Sequence, residues 1–402
     1  MKLTKENFYS IYSSLNLKSI NNKIQNIWVG FSGGLDSSVL LYLSYLVFNN
    51  KKYKLHALHI NHNIHKHANS WQQHCYNICK KLNIQFHTIK ITVNPNHIKD
   101  FGLESALRSC RQQSWKQLLE PQDHLLLAHH LNDQAETLFL RLLRGTGLTG
   151  ISAIYPMSIL DQIIIIRPLL HFTRKELEDF AKNNNINYIN DPSNYDQKFA
   201  RNFLRHNIMP KLMNKWPKYI NNIGRTITHL QQAAQFIKHQ ATVALSQCYK
   251  DPNIKNILII SKLLQFDDFL QTEILRLFIT KQGLNAPDTT KLNKIYKEII
   301  AAKIDRQPQL NLRQYVIYRY RDQLYTYSAE YLKTHQLKRQ LFSFKTILDD
   351  LEIYFGDCIQ EISSNKAKKI FQNKGIPPWQ RKDYPLVFQQ RKLIAIIGLW
   401  VK

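Results

Sequence analysis

Ser32-Gly33-Gly34-Leu35-Asp36-Ser37 stands between an apolar, strand-like run, Ile27 to Phe31, and an apolar, helix-like run, Ser38 to Phe48. A loop that leaves a buried strand and enters a helix offers unpaired backbone N–H groups and the positive end of the helix dipole to an anion. Gly33 and Gly34 let the backbone approach phosphate oxygens that a Cβ would push away, and Ser32, Ser37 and Ser38 add hydroxyl donors. The pattern predicts a phosphate cradle; a plain glycine turn is the alternative. No Gly-x-x-x-x-Gly-Lys-Ser/Thr element is present, so no loop lysine meets the phosphates.

Further chemistry is concentrated in Ala128-His129-His130-Leu131-Asn132-Asp133-Gln134-Ala135-Glu136-Thr137. Asp133 and Glu136 are three apart, so both can project from one face of a first helical turn. They read either as acidic ligands facing Asp36, or as helix caps with Glu136 closing a capping box. Arg108 with Arg111 one turn later, and Arg144 before Gly145-Thr146-Gly147, are guanidinium candidates for a phosphate or carboxylate. Solvated helix-face arginines are the plainer alternative. Gly145, Gly147 and Gly150 satisfy a Gly-x-Gly-x-x-Gly pattern, but they follow a helix where a dinucleotide site requires a strand. Histidines 59, 62, 65 and 67 have no cysteine or carboxylate among them, which argues against a metal cluster.

These groups need a scaffold, and the first 215 residues alternate the two periodicities that supply one. Leu55 to Ile60, Gln85 to Ile91 and Leu125 to His129 read as strands; Leu103 to Leu119 and Gln134 to Leu143 read as helices. That alternation predicts an α/β fold with a doubly wound parallel sheet whose ligands collect beyond the carboxyl ends of the strands. Trp216-Pro217 breaks the pattern. Asn221 to Tyr249 and Leu270 to Ile279 then carry helical periodicity, followed by a strand-like run, Arg313 to Tyr327, and a small α+β segment from about Ala329. The expected domains are 1–217 (catalytic), 218–328 (mainly helical) and 329–402 (C-terminal).

The chain has 402 residues and a formal charge of +26, from 55 Lys and Arg against 29 Asp and Glu. That imbalance points to a polyanionic partner, nucleic acid before membrane, because no apolar run reaches the about 18 residues a spanning helix needs. Basic residues interleave with aromatics at Lys366, Lys368, Lys369, Phe371, Lys374, Trp379, Arg381 and Lys382, and again at Tyr315, Tyr318, Arg319, Tyr320 and Arg321. Cations meet phosphates while rings stack on unpaired bases, a mixture suited to structured RNA; for Tyr315 to Arg321 an alternating, half-buried strand is the alternative. Five scattered cysteines and an N-terminus without the apolar core of a signal peptide lead to an expectation of cytoplasmic location. No Cys-x-x-Cys occurs, and Cys75 and Cys79 read as packing residues.

The Ser-Gly-Gly-x-Asp-Ser loop resembles that of the ATP pyrophosphatases (the PP-loop, adenine nucleotide alpha hydrolase-like fold). In family order, further segments resemble the tRNA(Ile) lysidine synthetases over nearly the whole chain. They are His59 to His62, the Arg108 and Arg111 helix, His130-x-x-Asp133-Gln134-x-Glu136-Thr137, Arg144-Gly145-Thr146-Gly147, Ile166-Arg167-Pro168-Leu169-Leu170, Thr173-Arg174, Asp191-Pro192-Ser193-Asn194 and Arg201-Asn202-x-x-Arg205. Lys368-Lys369-Ile370-Phe371 and Gly375-Ile376-Pro377-Pro378-Trp379-x-Arg381 resemble the family's C-terminal tRNA-binding module. One departure is Asn132, where the family usually has a second acid beside Asp133.

The resemblance implies an ATP-dependent ligase that joins L-lysine to carbon 2 of the wobble cytidine in the CAU anticodon of tRNA(Ile), through an adenylylated cytidine, releasing AMP and pyrophosphate. It implies ATP binding by Ser32, Gly33, Gly34, Leu35, Asp36, Ser37 and His59, magnesium at Asp36, and no zinc or iron–sulfur cluster. Asp36, Arg108, Asp133 and Glu136 are the expected catalytic set, and Arg111 and Arg144 the expected substrate or phosphate contacts. Arg201, Arg205, Lys366, Lys368, Lys369, Lys374, Arg381 and Lys382 are expected on the tRNA. The partners implied are tRNA(Ile), L-lysine and ATP, no membrane, and as an open option a second copy of the chain. A tRNA thiolase on the same loop and a catalytically inactive RNA-binding relative are the alternatives; the missing Cys-x-x-Cys weighs against the first and the intact loop against the second.

Overall fold

A computed structural model describes residues 2–15, 26–49, 53–61, 67–92, 99, 102–303, 306–341, 344–348, 351–356 and 364–402. His62, His65 and Cys358 lie outside the described residues. The chain forms two compact units, Met1–Ala234 and Gln235–Lys402.

In the first unit, β1 (Asn26–Gly30), β2 (Lys54–Asn61), β3 (Gln85–Lys90), β4 (His124–Leu126), β5 (Met157–Leu160) and β6 (Ile163–Ile166) form one sheet in the order β3-β2-β1-β4-β6-β5. All pairs are parallel except β5 with β6. Successive side chains of a strand point to opposite faces, and here both faces are covered. Ile27, Val29, Leu126, Ile164 and Ile166 pack on one side against Val39, Leu40 and Leu43 of α1 (Leu35–Phe48) and Leu177 of α4 (Arg174–Asn183). Trp28, Leu58, Leu125, Ile163 and Ile165 pack on the other side against Trp115 of α2 (Leu103–Leu118) and Leu119. The continuous isoleucine run of β6 is therefore buried throughout, each side chain worth about 1.5–3 kcal/mol relative to exposure.

β1 has β2 on one side and β4 on the other, so the chain winds in opposite directions from this point. The crevice beyond the carboxyl ends of β1 and β4 is where a doubly wound sheet collects its ligand. The expected alternation is present, with shifted ends. The strand predicted over 125–129 closes at Leu126, and α3 (Leu131–Leu142) begins earlier than its apolar periodicity, because His130 and Asp133 form a reciprocal capping box. The next helical run is made of Ala200–Phe203, a π turn Leu204–Ile208 and Met209–Lys215.

The boundary between the units falls inside helix α5 (Tyr219–Cys248). In the second unit, α6 (Asp268–Thr280) covers the helix expected over Leu270 to Ile279, and the helical run Thr289–Ile300 is an addition of the structure. They are joined by an antiparallel sheet in the order β7-β8-β11-β10-β9, of which the sequence reading anticipates only the Arg313 to Tyr327 stretch. The others, β7 (Tyr249–Asp251), β8 (Ile254–Ile259) and β9 (Gln309–Leu312), are too short or too polar to declare a period of two. β10 (Tyr315–Tyr320) and β11 (Gln323–Ser328) form its hairpin, and Arg319 of β10 is buried. Its guanidinium donates to the carbonyls of Ile299, Ile300 and Ala302, satisfying the end of the preceding helix.

Next come helix α7 (Ala329–Leu341) and strands β12 (Phe344–Leu348), β13 (Leu351–Phe355), β14 (Leu386–Gln389), β15 (Lys392–Ile396) and β16 (Trp400–Val401), which form a second antiparallel sheet in that order; Ala367 and Phe371 of α8 (Asn365–Asn373) pack with Tyr354, Leu386, Phe388 and Ile396. Among the described residues no helix is long and apolar enough to cross a membrane.

Candidate active site

Strand β1 delivers its loop directly into α1, and Gly34, the N-cap residue, carries no side chain to occupy the first-turn N–H groups. They remain available to an anion. The loop is held from within: Ser32 N–H donates to Ser37 Oγ (3.2 Å), Ser37 Oγ donates to the Gly34 carbonyl (3.1 Å), and Ser38 Oγ donates to the Gly33 carbonyl (3.3 Å). Ile189 N–H donates to Gly33 O at 2.8 Å and pins the loop from outside. Gly33 has φ +86°, and a Cβ there would lie 2.8 Å from Cys75 Sγ and 3.0 Å from Ile189 Cδ1. Both the conformation and the space require glycine.

The loop forms one wall of a cleft of about 370 Å3. Ser32, Gly34, Leu35, Asp36 and Ser37 face it together with Trp71, Arg111, Trp115, His129, Arg174 and Arg205. Arg111 lies over the Trp115 ring at 5.4 Å. Trp71, half-buried at the cleft edge, offers an aromatic face beside a phosphate-type loop, whereas Trp115 is buried in the core behind it.

Below the cleft, His130 stands between two carboxylates. Its Nδ1 accepts the Asp133 N–H (3.4 Å), and its Nε2 points between Asp36 Oδ2 (3.7 Å) and Asp133 Oδ2 (3.6 Å). Burial opposes a charge on this ring, but the Asp133, Asp36 and Glu136 carboxylates outweigh it and raise its pKa. Asp133 is buried too, which disfavours its anion; the charges of His130, Arg201 and His129 and the His130 N–H more than compensate and bring it to about 2. His129 is lowered to about 3 by burial, with Arg167, Arg201 and Arg111 adding to the effect and Asp133 opposing it.

Arg201 and Arg205, expected on the tRNA, are placed against the two acids. Arg201 Nε donates to Glu136 Oε2 at 2.6 Å and its Nη2 to Asp133 Oδ1 at 2.8 Å, while Arg205 grips Glu136 bidentately through the Nε–Nη2 edge of its guanidinium. The capping-box reading of this segment was half right: the box is there, but Asp133 closes it and Glu136 serves the arginines. Asn132 Oδ1 accepts the Arg174 N–H at 2.9 Å, at the N-terminus of α4.

Arg108 and Arg144 are exposed and do not line the cleft. Arg108 nevertheless belongs to a group of guanidinium charges: burial first, then Arg108 and Arg111, lower Arg167 to about 10. A cluster of cations that repel one another favours an anionic ligand. His59 also does not line the cleft; it is buried, and its Nδ1 donates to the Phe31 carbonyl at 2.9 Å, bracing the strand that carries the loop.

Trp71, Trp115, His130 and Arg174 are the additions of the tertiary structure. The tryptophans look like core residues by type, whereas His130 and Arg174 already stood in motif segments. Cys75, Cys79 and Cys248 are buried, and burial pushes their thiols up to about 12, 12 and 11, so these three are packing residues.

In the second unit, Lys368, Lys369 and Lys374 are exposed on or beside α8; Lys366 is exposed too, but its Nζ donates to the Leu393 carbonyl (3.3 Å) and lies 4.6 Å over the Trp400 ring. Arg381 Nε donates to the Ile376 carbonyl (3.1 Å) with its guanidinium over the Phe371 ring, and Lys382 lines a separate cavity.

A parallel sheet with this loop at its crossover and an uncapped helix behind it defines an ATP-using PP-loop domain, and residues 6–212 match the PP-loop domain family. Residues 258–325 match the TilS substrate binding domain and residues 360–402 the TilS substrate C-terminal domain. The tRNA(Ile)-lysidine synthase of Buchnera aphidicola subsp. Baizongia pistaciae (strain Bp) is 33% identical, over 95% of this chain and 92% of that one. Those of Haemophilus influenzae (strain 86-028NP) and Legionella pneumophila (strain Lens) are 33% and 34% identical over 94% of this chain, and over 95% and 91% of theirs. The chain belongs to the tRNA(Ile)-lysidine synthase family.

Proposed function

We infer that the chain is an ATP-dependent ligase that forms lysidine on tRNA(Ile), with ATP in the cleft of the first unit. The observation that carries the inference is the cleft itself: an uncapped helix N-terminus and its loop form one side, and Trp71, Trp115, Arg111, Arg174 and Arg205 also line it. The finer reading is that L-lysine is joined to carbon 2 of the wobble cytidine in the CAU anticodon.

In the first step the cytosine carbonyl oxygen attacks the α-phosphorus, and pyrophosphate departs with the electrons of the broken P–O bond. The loop N–H groups and Arg111 meet the charge that builds on the phosphates. Asp36 Oδ1 is buried without a hydrogen-bond partner, which fits a residue that would hold magnesium through a hard oxygen. When bound, magnesium neutralises the leaving pyrophosphate. In the second step the lysine ε-amine attacks the activated carbon and AMP leaves with the electrons of the C–O bond, while the amine proton passes to a base. Asp133, at about pKa 2 and paired to Arg201, is a weak base. Its role, with Glu136, is to hold Arg201 and Arg205 in place. Arg108 and Arg144 are proposed to contact substrate anions once tRNA is bound.

The division of labour follows residues 1–217 for chemistry and 218–328 and 329–402 for the tRNA, with Lys366, Lys368, Lys369, Lys374, Arg381 and Lys382 on its phosphates. The test is incubation with ATP, labelled lysine and total tRNA, followed by nucleoside analysis. Label on the wobble cytidine of the CAU isoleucine tRNA is expected; ATP consumption without label, or label on another nucleoside, overturns the reading.

A further inference from the structure

The second unit holds a cavity of about 380 Å3, within the ~300–1,000 Å3 range of small-ligand sites, that the chemistry above does not use. Trp379 forms one side, stacked on Tyr318 at 4.5 Å and 26°. Helix α7 and the strand before it form another: Tyr331 lies nearly parallel to Tyr327 (5.5 Å, 11°), and His335 nearly parallel to Tyr331 (5.4 Å, 22°). Tyr327, Tyr331 and His335 fall between the two matched segments, 258–325 and 360–402, whereas Tyr318 lies in the first and Trp379 in the second.

Core packing does not account for Tyr331, which is 50% exposed although it sits in a run of stacked rings. Around the rings, Gln380 donates to the Tyr327 hydroxyl (2.8 Å) and Gln309 to Asn311 Oδ1 (2.9 Å), each amide keeping a further donor or acceptor; Lys382 brings a cation, and Asp383, 3.8 Å from His335 Nε2, a carboxylate. Flat aromatic surface, amides able to pair with a base edge, and an ammonium for the adjoining phosphate are the three elements by which proteins hold a splayed-out base.

We propose that this cavity binds one unpaired nucleobase of the tRNA, stacked on Tyr331 with its phosphate at Lys382. The proposal rests on tRNA being the substrate. It adds a base-reading contact to a region otherwise read as an electrostatic surface, and it places that contact far in sequence from the loop that carries the chemistry.

The test uses the full chain and filter binding to a tRNA(Ile) transcript. Tyr331→Ala should weaken binding about tenfold, while Tyr331→Phe, which keeps the ring, stays within about twofold of wild type. The slope of log affinity against log salt should not change in Tyr331→Ala, since no phosphate contact is lost. A transcript trimmed of its single-stranded 3′ end separates the two sources of the base. If the base comes from that end, trimming weakens wild-type binding about tenfold and Tyr331→Ala costs nothing more. If it comes from a loop, trimming leaves the tenfold loss in place, and either result supports the cavity. Wild-type affinity of Tyr331→Ala for both transcripts, with an unchanged unfolding midpoint, overturns it. The effect is read in binding alone, so a chain that makes no lysidine yet shows it keeps the cavity and loses the proposed chemistry.

Discussion

Arg205 holds Glu136 through two parallel hydrogen bonds, Nε to Oε1 at 2.7 Å and Nη2 to Oε2 at 2.9 Å. Glu136 is 2% exposed, and its second oxygen also receives Arg201 Nε at 2.6 Å. One buried carboxylate thus ties the helical run 200–215 to the first turns of α3. Glu136→Ala leaves two guanidinium groups facing Asp133 alone. The arginines keep some access to water, so the expected loss is about 3 kcal/mol, the low end for a broken buried pair. Urea unfolding measures it, and a midpoint equal to wild type would show that the network contributes nothing to stability.

Asp36→Asn removes the carboxylate charge proposed to hold magnesium at the first turn of α1 and leaves the basic surfaces of both units unchanged. Turnover should fall at least about 100-fold with little change in tRNA affinity. Parallel activity and filter-binding assays decide this, and near-normal turnover would sink the proposed role of the loop aspartate.

Acid should unfold the protein in two stages. His124 and His129 are lowered to about 4 and 3, by burial first, with Asp123 and Asp133 respectively pulling the other way. An unfolded histidine takes up its proton near pH 6.5. Stability therefore falls as the pH drops below about 6.5, where the unfolded chain binds protons that the fold excludes. Asp133 acts lower down: its contribution is complete above about pH 4 and is lost as the pH falls toward 2, since its folded value lies below the unfolded one. Denaturation curves at pH 7.5, 5 and 3.5 should show unfolding free energy decreasing at each step. Equal values at pH 7.5 and 5 would contradict the histidine stage.

Asn132→Asp restores the acid usual at this position in the family. Because the side-chain oxygen already accepts the Arg174 N–H, and a carboxylate oxygen accepts it equally, activity should change by less than about threefold. A large gain in turnover would mean that the position also works on substrate.

Lys368 and Lys369 stand on the exposed face of α8. Replacing both with alanine should flatten the salt dependence of tRNA binding by about 0.9 per lost phosphate contact, if duplex RNA behaves as B-DNA does. Point substitution is the right tool, because removing the segment from Ala329 would strip Trp379 from Tyr318 and Tyr325 and break the fold it is meant to test. An unchanged salt slope would remove α8 from the proposed tRNA surface.

The loop, the strand before it and the helix after it were legible from residue order alone, because their cause is local: glycine where φ is positive, apolar periodicity on either side, and no side chain at the N-cap. The doubly wound sheet followed from strands and helices alternating at short range. What the tertiary structure decided is which charges meet. A guanidinium reads the same in a sequence whether it will face a phosphate or a carboxylate, and Arg201 finds Glu136 only across 65 residues. By the same logic Arg319, surrounded by tyrosines as an RNA-binding arginine would be, is spent on the carbonyls ending a helix. Trp71 and Trp115, core-type residues by composition, come to line the cleft beside the loop. Local sequence sets the conformation of a segment; the partner of a long polar side chain depends on chain crossings that no local pattern encodes.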